Sequence, residues 1–473
     1  MRNHKRALGP AAALALVAAL APPASAANPI VTGYYTADPA PLVVGNTLYV
    51  YAGRDEAPAG HGNFLMREWR VLSSTDAATW TDHGARASVA TFPWAGADAW
   101  ASEVEPRDGK YYWYTSINGN GAGWMDIGVA VGDSPLGPFR DAKGGPLVSD
   151  STPNSSGLNI DPTVFTDDDG RSYLYWGGYW GARAAKLKPN MIELDGPVVT
   201  PQGLANFWEA PWMFKRNGLY YMIYAANDTN GCVTSSSYAC QRYATATNPM
   251  GPWTHRGVVL DQVSSTTNHA GVVQFNGQWY VVYHNADAPG GGDFRRSVAV
   301  DLLHFNADGT IRKVVQTTTG PPPNPGGGGG GGNIAPAATA STSHVSAWES
   351  LAALNNGGAP ANSADRSNLA YGNWPERGAQ WVEYTWPTAR AVNRSSVYWF
   401  DDGQGIDLPA SCQVQHWTGS AYAPVPGQSA CGVAGDTLNT TTFTPVTTTR
   451  LRLSITSKPD SSTGVLEWQA FAA

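Results

Sequence analysis

The first 320 residues of the chain carry short apolar runs of strand length, and the same arrangement of runs recurs. One copy begins as Asp161-Pro162-Thr163-Val164-Phe165, turns at Asp169-Gly170 and continues as Tyr173-Leu174-Tyr175-Trp176. A short apolar strand, a tight turn and a second strand rich in aromatic residues predict a β-hairpin. Further copies of this unit begin at Asp38, Trp100, Glu209 and His269.

The five unit heads lie 62, 61, 48 and 60 residues apart. Such a step holds about four short strands, which make one blade of a propeller. The pattern therefore predicts an all-β chain whose residues 27–320 form a five-bladed β-propeller. The innermost strand of each propeller blade lines the central channel, so that the five heads converge on one funnel. Three of the heads are carboxylates: Asp38, Asp161 and Glu209.

The amino-acid composition changes on either side of this repeat. Residues 1–26 have a basic start, an apolar run and the small-residue site Ala24-Ser25-Ala26, which predict a secretory signal peptide. Residues 321–332, prolines followed by seven glycines, predict a linker. Residues 333–473 alternate apolar and polar positions, as in Arg450-Leu451-Arg452-Leu453, and we expect a β-sandwich accessory module there.

Composition narrows the classes of function. The 473 residues carry a net charge of −7, which argues against a nucleic-acid partner because such binding neutralises phosphates with Lys and Arg. After the signal peptide no apolar stretch approaches the ~20 residues of a membrane span. We therefore expect a secreted, extracellular protein with no membrane partner that acts as a monomer. The 19 Trp and 21 Tyr suit strands, and they also suit sugar binding, in which a ring stacks on the C–H face of a sugar.

The four cysteines fall in two near pairs, Cys232 with Cys240 and Cys412 with Cys431. In an oxidising compartment the simplest interpretation is two local disulfides. Neither pair has the spacing or the neighbouring histidines of a metal site.

Three carboxylates at the mouth of one channel suit acid–base chemistry on an uncharged bond. Cleavage of a glycosidic bond needs a carboxylic acid that protonates the leaving oxygen and a carboxylate opposite it; where that carboxylate activates water, the configuration inverts. Glu209 lies between Trp208 and Ala210, an apolar setting that favours its protonated form. We assign Glu209 as the general acid, Asp38 as the base and Asp161 as the group that raises the pKa of the acid by like-charge proximity. For each acid taken alone, an ordinary turn or cap is the alternative.

Two other features could concern a cation. His269, at the fifth head, is either a structural residue or a cation ligand on the channel axis. The run Asp167-Asp168-Asp169-Gly170 is similar to part of a Ca²⁺ loop, but it lacks the later ligands and the closing Glu, and we interpret it as a hairpin turn.

Taken together, these motifs resemble glycoside hydrolase family 43 over residues 28–319. The resemblance rests on the five-blade spacing and on the surroundings of the three acids, which are Ala37-Asp38-Pro39, Ile160-Asp161-Pro162 and Trp208-Glu209-Ala210-Pro211. It implies an inverting enzyme with the three acid roles given above and with no organic cofactor. It also implies a Ca²⁺ ion in the central channel near His269.

The resemblance carries further residues and a substrate class. Trp100 and Arg296 match positions that touch the non-reducing sugar in similar enzymes, and we expect Phe207 to contact the substrate as well. The segments 33–38 and 54–56, Gly-Tyr-Tyr-Thr-Ala-Asp and Arg-Asp-Glu, are most similar to enzymes acting on α-L-arabinofuranosyl groups. The expected activity is release of such groups from plant-type polysaccharide or oligosaccharide.

Several alternatives stay open at this point. β-D-xylosides and β-D-galactofuranosides are substrates of neighbouring branches on the same scaffold. A non-catalytic propeller lectin is the alternative from a different class, and three acids in register argue against it. The segment after the linker resembles discoidin-like or other carbohydrate-binding modules; exposed rings among Trp374, Trp399 and Trp417 would stack on sugars there, or the same rings fill the sandwich core.

Overall fold

The computed structural model describes residues 27–119, 125–229, 231–306, 308–322, 324, 333–358, 360–367 and 369–473. The expected signal peptide and most of the expected linker lie outside the described residues. Within these ranges the structure is built from strands, and its helical elements are three short 3₁₀ turns. No helix in the described parts of the chain is long and apolar enough to cross a membrane.

Five antiparallel sheets follow one another along the first part of the chain. The first two consist of β1 (Tyr35–Val44), β2 (Thr47–Asp55), β3 (Glu68–Ser74) and β4 (Thr81–Ser88), and of β5 (Ala95–Arg107), β6 (Lys110–Gly119), β7 (Asp126–Gly132) and β8 (Arg140–Asp141). The third and fourth consist of β9 (Thr163–Thr166), β10 (Ser172–Trp176), β11 (Arg183–Leu187) and β12 (Leu194–Val199), and of β13 (Phe207–Arg216), β14 (Leu219–Ala226), β15 (Cys240–Ala246) and β16 (Thr254–Leu260). The fifth consists of β17 (Ala270–Phe275), β18 (Gln278–Asn285) and β19 (Ser297–Leu302).

The five sheets close into a ring. Their innermost strands contact one another in the order β1, β5, β9, β13, β17 and back to β1. The first described residues lie on the last sheet, because the N–H of Ile30 donates to the carbonyl of Val298 over 2.8 Å and the N–H of Thr36 to that of Arg296 over 2.9 Å. The five-bladed propeller predicted from the repeat is confirmed, and each predicted head lies in the first strand of its blade or within two residues of it.

Many of the aromatic residues pack the blades against each other. Tyr51, Trp69 and Trp113 are fully buried where the first two blades meet. The ring centroids of Trp113 and Tyr51 are 5.0 Å apart with the edge of one ring against the face of the other, an arrangement that aromatic pairs prefer. The abundance of aromatic residues is therefore mainly a property of the core.

The second part of the described chain forms one antiparallel sheet of seven strands. They are β20 (Thr339–Thr342), β21 (Tyr371–Gly372), β22 (Ala379–Phe400), β23 (Ser411–Trp417), β24 (Tyr422–Pro424), β25 (Leu438–Thr456) and β26 (Gly464–Ala472). The long strand β22 changes partners along its length, from β20 and β25 to β25 and β26, with a break in register between Thr385 and Arg390. This arrangement is consistent with the expected β-sandwich.

The tryptophans of this second part have different roles. Trp399 is fully buried among Val382, Leu453 and other core residues, so that of the two alternatives for its ring the structure shows the one in which it fills the core. Trp374 is 46% exposed, and Trp417 is partly exposed with its ring 5.1 Å from that of Tyr422.

Both predicted disulfides are present. Cys232, in the connection between β14 and β15, is bonded to Cys240, the first residue of β15, and Cys412 is bonded to Cys431 in the second part of the chain. Each bond closes a short loop, as the spacing of the cysteines indicates.

Candidate active site

The heads of the propeller units are places where the innermost strand loses its regular pairing. Asp38 lies in a bulge of β1, Glu209 lies between two register shifts of β13, and Asp161 precedes β9 by two residues. The backbone of Asp38 and of Asp161 is left-handed, with φ of 51° and 58°, a conformation that residues other than glycine rarely adopt. Bulges re-aim side chains next to active sites, and here they bring three carboxyls to one end of the channel.

The buried guanidinium of Arg296 fixes the Asp38 carboxylate. Its Nη1 donates to Oδ1 of Asp38 over 2.9 Å, while Nε donates to Oδ2 of Asp55 over 2.9 Å and Nη2 to Oδ1 over 3.0 Å. Asp55 is only 2% exposed and Arg296 only 3%. One cation therefore joins two carboxylates in a setting from which water is largely excluded, and it orients both of them.

His284 gives Asp38 a second support. The backbone N–H of Asp38 donates to Nδ1 of His284 over 3.1 Å, and Nε2 of the same ring lies 3.1 Å from the carbonyl oxygen of Thr267. A ring nitrogen that accepts an N–H carries no proton itself. With Nδ1 as the acceptor, Nε2 is the nitrogen left to donate to Thr267, and the fully buried ring anchors the Asp38 backbone.

The charges around Asp38 decide its protonation state. Burial alone would raise the pKa of this carboxyl, but the positive charge of Arg296 outweighs burial, so that the pKa lies below its ordinary value. Asp38 is an ionised carboxylate at any pH at which the protein is expected to work.

Asp161 and Glu209 form a close pair of carboxyls. The backbone N–H of Ala210, the residue after Glu209, donates to Oδ2 of Asp161 over 3.0 Å. Burial raises the pKa of Glu209 to about 7, with a further contribution from the charge of Asp38. Burial and the charge of Glu209 likewise raise the pKa of Asp161. The two groups titrate as one unit, and near neutral pH that unit keeps a proton.

The site thus places a protonated carboxyl pair beside a permanently ionised carboxylate. Two groups whose surroundings push their pKa values apart are suited to act as an acid and a base in the same reaction. The arrangement can therefore donate a proton to one atom of a substrate while it accepts a proton from a water molecule.

His269 lies beside the three carboxyls. Its Nδ1 is 3.8 Å from Oδ1 of Asp38. Burial lowers the pKa of this imidazole to about 4, and the positive charge of Arg296 acts in the same direction, although Asp38 opposes it. His269 is therefore neutral near pH 7.

The described side chains around His269 do not by themselves complete a coordination sphere for the Ca²⁺ ion that the resemblance implies, and that ion stays a prediction. Ca²⁺ takes roughly six to eight oxygen ligands, whereas His269 offers a nitrogen, and the carboxylate next to it, Asp38, is already paired with Arg296. Among the described residues no group of three or more His, Cys, Asp or Glu side chains could hold a metal ion.

Trp100 lies at the same funnel as Arg296 and is linked to it by a phenylalanine. The rings of Trp100 and Phe64 are 5.7 Å apart, edge to face, and the guanidinium of Arg296 lies 4.6 Å from the centre of the Phe64 ring. Trp100 is partly exposed. The structure thus brings together six of the seven predicted site residues: Asp38, Trp100, Asp161, Glu209, His269 and Arg296.

Phe207 does not belong to this group. Its ring is 5% exposed and packs 5.7 Å from that of Tyr224, in the core between the third and fourth blades. In a regular strand Phe207 would share a face with Glu209. The register shift between these two residues breaks that alternation, and it turns the phenylalanine inward, so that the expected substrate contact is replaced by a core contact.

Two residues of the site were not predicted from the sequence. Asp55 and His284 occupy the ends of β2 and β18, the second strands of their blades, and the repeat heads do not include them. The segment 54–56 pointed to a substrate class but gave Asp55 no role in the site. For His284 the signal was a titratable residue near the end of an otherwise apolar strand, Tyr283-His284-Asn285.

Comparison with known proteins agrees with this geometry. A sequence model described as "Glycosyl hydrolases family 43" matches residues 26–311. A "Xylosidase/arabinosidase" of Bacteroides ovatus is 34% identical over 328 residues, which cover 60% of this chain and 95% of the relative. An "Arabinoxylan arabinofuranohydrolase" of Bacillus subtilis is 33% identical over 340 residues, which cover 61% of this chain and 64% of the relative.

A solved structure is similar over the same part of the chain. It is a family 43 β-xylosidase/α-arabinofuranosidase from a compost microbial metagenome, in complex with xylotriose and in a calcium-free form. The TM-score is 0.54 at 35% identity, and the match covers 61% of this chain and 97% of the other.

Proposed function

The chain belongs to glycosyl hydrolases family 43, and from that premise we propose that it releases α-L-arabinofuranosyl groups from plant-type polysaccharide or oligosaccharide with inversion of configuration. Glu209 is the general acid, which gives its proton to the leaving oxygen. Asp38 is the general base, which takes a proton from the water that attacks the anomeric carbon. Asp161 keeps Glu209 protonated.

The observation that carries this proposal is the opposite protonation of two neighbouring groups. Arg296 keeps Asp38 ionised, while burial raises the pKa of Glu209 to about 7. Inverting hydrolysis needs both states at once: the C–O bond breaks as the acid protonates the oxygen, and the water forms the new C–O bond as it loses a proton to the base. Both carboxyls return to their starting states once a proton passes back through solvent.

Two observations support arabinofuranose as the sugar. The segments around Asp38 and Asp55 are the ones most similar to enzymes acting on arabinofuranosyl groups, and both residues are bonded to Arg296 in the site. The names of two similar relatives refer to arabinosidase or arabinofuranohydrolase activity.

A second candidate is a β-D-xylosidase. The names of the Bacteroides relative and of the similar solved structure include xylosidase activity. Both candidates use the same three carboxyls, so that they differ only in the sugar that fits above them.

The experiment that tests the proposal compares initial rates on the aryl glycosides of α-L-arabinofuranose, β-D-xylose and β-D-galactofuranose, with Asp38→Asn as the inactive control. We expect the highest kcat/KM on the arabinofuranoside. A higher value on the xyloside would favour the second candidate, and no hydrolysis of any of the three would contradict both.

We also propose that the protein acts outside the cell and that its second part binds the polymer. Export is supported by the signal-like residues 1–26 and by the two disulfides, since such bonds persist in oxidising compartments. Polymer binding is supported by the exposed ring of Trp374.

A further inference from the structure

Two adjacent aromatic residues are exposed at the mouth of the funnel. Tyr179 and Trp180 lie in the connection between β10 and β11, and they are 54% and 66% exposed. Both backbones are left-handed, with φ of 48° and 66°. Bulky residues rarely adopt this conformation, and where it persists the surrounding structure enforces it, most often at functional sites.

The loop that carries the two rings is anchored to the backbone beside two of the carboxyls. The N–H of Gly177 donates to the carbonyl of Ile160 over 2.8 Å, and Ile160 is the residue before Asp161. The N–H of Trp180 donates to the carbonyl of Trp208 over 3.1 Å, and Trp208 is the residue before Glu209. The rings and the two carboxyls are therefore positioned by the same backbone segments.

The three glycines of the loop pack so closely against neighbouring atoms that a side chain at any of them would clash. A Cβ on Gly177 would lie 2.2 Å from the carbonyl oxygen of Gly181, and one on Gly178 would lie 2.7 Å from Cδ1 of Ile160. A Cβ on Gly181 would lie 2.5 Å from Oγ of Ser156. The sequence Gly-Gly-Tyr-Trp-Gly thus builds a tightly packed turn whose two large side chains are the parts that remain exposed.

The exposed rings continue into the site. The centroid of the Tyr179 ring is 6.4 Å from that of Trp180 and 6.5 Å from that of Trp208, with interplanar angles of 39° and 36°. Burial raises the pKa of the Tyr179 phenol, and the charges of Glu209 and Asp161 add to that effect. Three tilted rings therefore follow one another from Trp208 through Tyr179 to the exposed Trp180, and the Tyr179 phenol in the middle lies close enough to the carboxyl pair to be affected by its charge.

We propose that Tyr179 and Trp180 form the subsite for the leaving group, where they stack on the sugar rings from which the terminal sugar is cleaved. The inference rests on the proposed function, in which Glu209 protonates the leaving oxygen. The leaving sugar must then lie on the Glu209 side of the site, and that is where the loop is attached. The ligand class is a chain of neutral pyranose or furanose units with C–H faces to offer to the rings.

The test compares two substrates that share the terminal sugar. One is an oligosaccharide that carries this sugar on a short xylan backbone. The other is the glycosyl azide of the same sugar, whose leaving group, azide, has no ring that could stack. We expect Trp180→Ala to lower kcat/KM on the oligosaccharide by about tenfold, the typical worth of one aromatic stacking contact. The azide should react within about twofold of the wild-type rate, because its barrier involves no ring contact at this subsite. Tyr179→Ala should also lower kcat/KM on the oligosaccharide. Trp180→Phe keeps a ring, and it should retain most of the wild-type kcat/KM.

Trp348→Ala is the matched control, since Trp348 is an 80% exposed tryptophan in the second part of the chain; it should leave both rates unchanged. If Trp180→Ala and Tyr179→Ala lowered the rates on the oligosaccharide and the azide equally, the loop would only hold Glu209 in place. If they left both rates unchanged, the rings would not be used in binding. Either result overturns the subsite. The proposed function is tested separately by the wild-type rates, because a wild-type protein that hydrolyses neither substrate would overturn that function and the subsite together.

Discussion

Arg296 donates from Nη1 to Oδ1 of Asp38 over 2.9 Å, with both side chains buried. The same guanidinium donates two hydrogen bonds to Asp55, which fix its orientation. The proposed base, Asp38, is therefore held by a group that is itself fixed in place. A buried ion pair of this kind is weak evidence for stability, because removal of two charges from water offsets the attraction between them. Its consequence here is the fixed position and ionised state of Asp38.

We predict that Arg296→Lys lowers kcat/KM by about a hundredfold, because a lysine keeps the charge but cannot bridge two carboxylates in one plane, and a misplaced catalytic group has a cost of that order. The measurement is kcat/KM on an aryl glycoside together with the thermal midpoint of unfolding. Arg295→Lys is the control, since Arg295 donates to backbone carbonyls such as that of Gly290 and should react at nearly the wild-type rate. Equal effects of the two substitutions would contradict a specific role of the Asp38–Arg296 pair.

Glu209→Gln should lower the rate on natural glycosides by ~10²–10⁴-fold, the usual contribution of a general acid. A substrate with a very good leaving group needs little protonation and should be affected much less. The measurement is the dependence of kcat/KM on the leaving-group pKa, which should become steeper in the variant. Asp38→Asn provides the contrast: it should slow good and poor leaving groups alike, because both reactions need the activated water.

The rate should fall as the pH rises through the apparent pKa of the Asp161–Glu209 pair. Burial raises the pKa of Glu209 to about 7, and an acid catalyst works only while it is protonated, so the alkaline limb of kcat/KM should lie near that pH. In the proposed roles Asp161 is the ionised member of the pair, so that Asp161→Asn removes a negative charge beside Glu209 and the pKa of Glu209 should decrease. We expect the alkaline limb of the variant at lower pH, whereas an unmoved limb would mean that Asp161 does not tune the acid.

The first product should have inverted anomeric configuration. In the proposed mechanism Asp38, which is paired with Arg296, activates water, and no covalent intermediate forms. Proton NMR at early times, before the free sugar equilibrates its anomers, distinguishes the outcomes. A product that first appears with the configuration of the substrate would contradict the assignment of Asp38 as a base.

The repeat in the sequence was sufficient to predict the propeller and the three carboxyls of the site. One strong pattern recurs in each blade, and each of the three acids lies at the same position of that pattern. Residues outside that pattern could not be found in this way. His284 reaches Asp38 and Asp55 reaches Arg296 from the second strands of their blades, and the sequence alone does not define how those strands stagger. Phe207 was misassigned because a bulge interrupts the alternation of the strand. Nothing in a linear pattern indicates that Trp399 is buried while Tyr179 and Trp180 are exposed.

The last prediction concerns the second part of the chain. Its buried residues form a core of their own, to which the propeller contributes no member among the described residues, and we therefore expect residues 333–473 to fold alone. A chain that ends at residue 326 keeps Asn324, whose Nδ2 donates to the hydroxyl of Tyr280 over 2.9 Å. We predict that it hydrolyses a small aryl glycoside within about twofold of the full-length rate and loses activity on insoluble or branched polysaccharide, because a tethered binding module raises the local concentration of polymer without changing the barrier.

A full-length chain with Trp374→Ala is the matched test of that last explanation, because it keeps the module and removes one exposed ring. It should lose part of the activity on polymer and none on the aryl glycoside. The two parts touch where a Cβ on Gly277 would lie 3.1 Å from Cβ of Asn333, and a large interface at this point would make the propeller depend on its neighbour. A truncated chain that is insoluble, or slow on the aryl glycoside, would therefore contradict the tethered-binder explanation and indicate that the propeller needs the second part in order to fold.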